Sequence, residues 1–105
     1  MKITNLLAIF NHFGLAHQTG KLQEECTELA EALDIGTRVF TGDPNRAIDT
    51  PGIVTEMADV AVMLAQFKYA MPELWADVEA EANAKIERTL KRIKIGYYPT
   101  IGKVT

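Results

Sequence analysis

IVTEMADVAVMLAQFKY, residues 53–69, is the stretch on which the fold turns. Val54, Met57, Val60, Ala61, Val62, Met63, Leu64 and Phe67 point all round a helical wheel, and a helix apolar on every side belongs in an interior. The pattern therefore predicts a buried central helix from Ile53 to Tyr69. Two acids interrupt it. At about 100° per residue Glu56 and Asp59 lie about 60° apart, on the same side as Met63 and Phe67. An ionised carboxylate buried without a partner is strongly disfavoured, so this pair calls for a cation, a basic side chain or water.

Outward from this helix the periodicity stays helical. Ile3, Leu6, Leu7, Phe10 and Phe13 recur at spacings of three and four, with Gly14 as a stop, and predict a first helix. A second runs from Gln18 to Asp34, with Leu22, Cys26, Leu29 and Leu33 on one face and Gly36 beyond its end. The turn formers Gly42, Asp43, Pro44, Asn45, Asp49 and Pro51 make a loop of the Gly36–Gly52 segment, with room for a short turn near Arg46. Pro72 opens a fourth helix whose stripe of Trp75, Val78, Ala82, Ile86, Leu90 and Ile93 ends before Gly96, and the tail from Tyr97 to Thr105 reads as irregular. No segment alternates convincingly as a strand. The expected class is all-α, a four-helix bundle-like arrangement in one domain, residues 1–105.

Composition narrows the function. With 105 residues, 48% of them hydrophobic and 24% charged, the chain has the make-up of a single globular domain. Its core is small for independent stability, which makes self-association an expectation. A formal net charge of −3 disfavours a general nucleic-acid binder. The most apolar stretch, Met57 to Phe67, contains Asp59 and is too short to span a bilayer, and no leader pattern opens the sequence. The lone cysteine, Cys26, can form neither an internal disulfide nor a thiolate metal cage, so the cytoplasm is the expected location. On the second helix Cys26 reads as a small buried hydrophobe.

Glu25 and Glu28 repeat the spacing of Glu56 and Asp59 and flank the Leu22/Leu29 stripe, from which both can look toward a neighbouring helix. Taken alone, such a pair is usually a solvated helix face. Together the two pairs can bring four carboxylates to one point, where they coexist only around multivalent positive charge. An all-oxygen donor set is hard-ion chemistry and favours Mg²⁺ or Mn²⁺ over Zn²⁺. A di-iron bundle would want Glu-x-x-His pairs, and neither His12 nor His17 lies three residues after a glutamate.

The run Lys21-Leu-Gln-Glu24-Glu25-Cys-Thr-Glu28-Leu29, followed after a loop by Glu56-Met-Ala-Asp59-Val60, resembles the EExxE and ExxD motifs of the MazG-like, all-α nucleoside triphosphate pyrophosphohydrolases. The resemblance extends from Gln18 to Arg92. It implies Mg²⁺-dependent hydrolysis between the α and β phosphates, to a nucleoside monophosphate and pyrophosphate, in a homodimer or homotetramer. By position it makes Glu25, Glu28, Glu56 and Asp59 the metal ligands, and it adds Glu24 to Glu25 and Glu28 as a catalytic candidate, in a base or supporting role. Phosphoribosyl-ATP pyrophosphatase shares the fold and the reaction, but it normally carries a histidine soon after the ExxD aspartate. Val60 to Phe67 contains none. The competing class is a non-catalytic helical oligomerisation or regulatory module with a structural ion site.

Substrate contacts are expected from Gln18 and Lys21 ahead of Glu25, and from Lys85, Thr89 and Arg92, which share one flank of the fourth helix. Related sequences resemble K-x-x-x-N-x-x-R at this last place, and Thr89 stands where the asparagine is usual. Without the resemblance, Lys85, Arg88, Lys91 and Arg92 read as cations placed to complement a helix C-terminus. His17 reads as a surface histidine, and Phe10, Phe13 and Trp75 as core aromatics rather than base-stacking platforms.

Overall fold

The computed structural model describes the backbone of residues 1–40 and 50–97 and the side chains of residues 1–34 and 52–97. These residues form four helices: α1 (Ile3–Phe13), α2 (Leu15–Phe40), α3 (Thr50–Ala70) and α4 (Pro72–Lys94). Among the described residues there is no strand, and no helix is long and apolar enough to cross a membrane. The chain divides into two compact units, Met1–Pro72 and Glu73–Thr105.

In the first unit a single residue separates α1 from α2. Gly14 sits at φ 84°, a conformation that an L side chain resists, and its N–H closes α1 onto the Phe10 carbonyl at 2.7 Å. Its own carbonyl accepts from the Gln18 N–H at 3.0 Å and so opens α2. The helix α3 packs against both α2 and α1. The centre is Phe10, Met63 and Phe67, with Leu22, Ala70 and Met71 packed around it and Leu6 buried nearby on α1. The rings of Phe10 and Phe67 meet edge to face, centroids 5.4 Å apart at 83°.

Several expectations are corrected. The second helix begins at Leu15 rather than Gln18 and runs through Gly36 to Phe40. Glycine inside a helix costs only about 1 kcal/mol relative to alanine, a penalty that does not by itself end a helix. At the other side of the expected loop α3 starts at Thr50, three residues early, with Pro51 in the first turn, where a missing N–H is harmless. What remains of that loop, including the turn near Arg46, lies outside the described residues.

The third helix is central in its contacts but is not buried all round. Met63, Gln66 and Phe67 are buried, whereas Val54, Met57, Val62, Leu64 and Tyr69 are exposed. Within the first unit α1 and α2 are its packing neighbours, and two helices cover only part of a third. The facing side of α2 is also shifted. Gln18, Leu22, Glu25 and Leu29 are buried or half-buried, while Cys26 and Leu33 are exposed. Cys26 is therefore a surface thiol and not a core residue.

The second unit contains nearly all of α4, which ends as its sequence predicts. The Gly96 N–H donates to the Ile93 carbonyl and the Tyr97 N–H to the Arg92 carbonyl, at 3.1 and 2.8 Å, with Gly96 at φ 76°. This is a Schellman closure. The Arg92 guanidinium covers it by stacking on the Tyr97 ring, 5.2 Å from the centroid. No residue of α4 is buried, and Leu74, Val78, Ile86, Leu90 and Ile93 are exposed along its apolar stripe.

Candidate metal centre

The helices α2 and α3 lie side by side, and the four acids singled out by spacing meet between them. One carboxylate oxygen from each of Glu25, Glu28, Glu56 and Asp59 lies within 4.8 Å of the others. A shell of oxygens at about 2.1 Å from Mg²⁺ spans about 4.2 Å across the ion. Small side-chain movements would bring four such atoms onto one cation.

The environment also fits a cation. Glu25 is only 6% exposed, and its Oε2, like the Oε2 of Glu56, is buried without a hydrogen-bond partner. Orphaned anionic oxygens in an interior are expensive, and here two of them belong to the same cluster. The neighbouring Glu25 carboxylate, then burial and the Glu56 carboxylate, push the Glu28 carboxyl above its ordinary 4.5. The donor set is oxygen throughout, as Mg²⁺ and Mn²⁺ prefer.

One cation of the chain already touches the cluster. Lys21 Nζ stands 3.1 Å from Glu25 Oε1 and 3.6 Å from Glu24 Oε1. These two glutamates, with the Glu25 hydrogen bond leading, hold the Lys21 ammonium above its ordinary 10.5. Glu24 is exposed on the outer side of α2, where it lines a shallow groove with Gly20, Gln23, Thr27, Glu28 and Glu31. It is adjacent to the cluster in sequence and stands outside the four-acid group.

The remaining expected site residues are distributed as follows. Gln18 is 2% exposed, and its amide is engaged inside the seam. Lys85, Thr89 and Arg92 belong to α4, in the second unit; Lys85 and Thr89 are exposed and line a shallow depression with Ile86 and Leu90. His17 is an exposed histidine, stacked on Phe13 with centroids 4.6 Å apart. The residue that sequence reasoning missed is Gln66, the most buried side chain described, at 1% exposure. Its signal was present: Gln66 is the single uncharged amide in the apolar third segment. Comparison with protein-family models, with curated proteins and with solved structures finds no match to this chain.

Proposed function

We propose that the chain is a Mg²⁺-dependent nucleoside triphosphate pyrophosphohydrolase that cleaves between the α and β phosphates and releases a nucleoside monophosphate and pyrophosphate. The observation that carries this reading is the convergence of four carboxylates, two with buried, unpartnered oxygens, between two helices. The sequence resemblance supplies the reaction class. When bound, Mg²⁺ or Mn²⁺ supplies charge neutralisation for the phosphates and a lowered pKa for a coordinated water.

Glu25, Glu28, Glu56 and Asp59 would hold the ion. Glu24 is exposed one residue from this cluster, and its carboxylate is suited to accept the proton of an attacking water. Lys21 is already at the cluster's edge. With Glu25 engaged in holding the ion, the Lys21 ammonium would be free to meet a substrate phosphate. Lys85, Thr89 and Arg92 are proposed as further phosphate and sugar contacts from α4. The exposed apolar residues of α3 and α4 support assembly as a homodimer or homotetramer.

The test is release of pyrophosphate and monophosphate from a panel of canonical and modified nucleoside triphosphates, run with Mg²⁺, with Mn²⁺ and with EDTA, for the wild type and for Glu56→Gln. Wild type should form both products only with metal. The variant should stay folded, fall to background turnover and lose the thermal stabilisation that metal gives wild type, about 2.7 kcal/mol at a hundred times Kd. A folded wild type that binds Mn²⁺ but releases nothing would reduce the cluster to a structural ion site.

A further inference from the structure

Two turns along the seam from the acids, Gln18 Nε2 donates to Gln66 Oε1 at 2.7 Å, joining α2 to α3 between residues 48 apart in sequence. Both side chains are almost completely buried. Gln66 Nε2 faces the Met63 thioether at 3.5 Å, which fixes the amide's sense, since its oxygen would find no donor in the sulfur. Gln66 thus presents its oxygen to Gln18, and Gln18 turns its own oxygen to His17 Nδ1 at 2.7 Å. The pair has one satisfied arrangement.

The numbering shows what this arrangement aligns. Glu25 lies seven residues after Gln18 and Asp59 seven before Gln66; Glu28 lies ten after and Glu56 ten before. In an antiparallel pair of helices, equal and opposite steps preserve the pairing. The register that joins the two amides is the register that sets Glu25 and Glu28 against Asp59 and Glu56. We infer that Gln18 and Gln66 are positioning residues that lock α2 against α3 in the one register that assembles the four-carboxylate site. This role rests on the metal reading proposed above.

The apolar contacts of the seam cannot impose that choice. Leu22, Leu29, Met63 and Phe67 are apolar side chains, and apolar contact is non-directional, so it fixes a register less sharply than a hydrogen bond between two buried amides. A slip of one helical turn moves the acids of α3 about 5.4 Å past those of α2, more than the 4.8 Å within which their oxygens now gather. It would also part the two amides and set each toward the residues four positions from its partner, Val62 and Ala70 on α3 and Gly14 and Leu22 on α2, whose side chains cannot hydrogen-bond an amide. A buried polar pair that selects a register over apolar alternatives is the best-attested use of such groups.

Gln18→Leu/Gln66→Leu removes both amides and leaves neither unpaired, so it separates register from stability. Mn²⁺ affinity by calorimetry, metal-free Tm and helical content are measured for wild type, for the double variant and for Gln66→Leu alone. The double variant should keep its helix and most of its Tm, yet bind Mn²⁺ about ten- to a hundredfold more weakly. The single variant, with Gln18 left unpaired, should have the lowest Tm of the three. A folded double variant with wild-type Mn²⁺ affinity would overturn the role while leaving the metal site standing. No Mn²⁺ binding by wild type would overturn the metal reading itself. Should the leucine pair unfold the chain, Gln18→Met/Gln66→Met, with unbranched side chains of similar length, is measured for the same two outcomes.

Discussion

Lys21 places its ammonium 3.1 Å from one oxygen of Glu25, while the other oxygen of that carboxylate is buried with no partner. The lysine therefore balances part of the charge of the acid cluster in the metal-free chain. Its pKa is raised, by the Glu25 hydrogen bond first and then by Glu24. The stability this contributes is fully present below 10.5 and is lost only as pH rises through the higher folded value, so it is constant around neutrality. Lys21→Met should lower Tm in EDTA and enlarge the increase in Tm that Mn²⁺ produces, because the ion then replaces a missing positive charge. Thermal melts with and without Mn²⁺ check this, and equal increments in both proteins would contradict it.

Glu28 titrates in the opposite sense to a salt-bridged acid. The Glu25 carboxylate, followed by burial and Glu56, raises its pKa above 4.5 in the folded chain, so the fold holds that proton more tightly than the unfolded state does. The resulting stability is fully present below 4.5 and is lost as pH rises through the raised value. In EDTA, lowering the pH from neutral toward 4.5 should therefore benefit wild type relative to Glu28→Gln, which has no proton to gain there. Parallel Tm-versus-pH curves for the two proteins would show that the fold does not raise the Glu28 carboxyl.

Much of this arrangement was legible in the sequence because it depends on local rules. The limits of α1 follow from periodicity and Gly14, and those of α4 from Pro72 and Gly96. The acid cluster was legible because charge inside an apolar helix demands a counterpart. The inner face of α2 was not. Choosing the most apolar stripe selects Cys26 and Leu33, whereas the seam is built on Gln18, Leu22, Glu25 and Leu29. A stripe chosen by hydrophobicity excludes the residues that are buried for their polarity. The Gln18–Gln66 bond was invisible for a related reason, since each amide is satisfied only by a partner on another helix.

Phe67 is, with Phe10, one of the two largest apolar side chains of the small core, and the two rings meet edge to face. Phe67→Ala should cost about 3–5 kcal/mol through lost burial and the cavity left behind. A domain of this size has only about 5–15 kcal/mol in all, so cooperative unfolding should shift to much lower urea or disappear. Phe67→Leu, which keeps most of the volume, should be milder. A urea midpoint for Phe67→Ala within error of wild type would mean that the Phe10–Phe67 contact is not what holds α1 to α3.

Lys85 tests the substrate reading from the other unit. Its ammonium lies 3.7 Å from Glu81, one turn earlier on α4, and both side chains are exposed. A pair of this kind contributes about 0–1 kcal/mol, so Lys85→Ala should leave Tm nearly unchanged. If Lys85 contacts a substrate phosphate, the same substitution removes a charge-assisted hydrogen bond of about 1.5–3 kcal/mol, which corresponds to a roughly ten- to hundredfold lower kcat/KM. Mn²⁺ affinity should stay at the wild-type value, because the four carboxylates are untouched. Steady-state kinetics beside metal titration separate the two roles: wild-type kinetics would return Lys85 to the surface of α4, and a loss of metal affinity would mean that it acts on the carboxylates rather than on the phosphates.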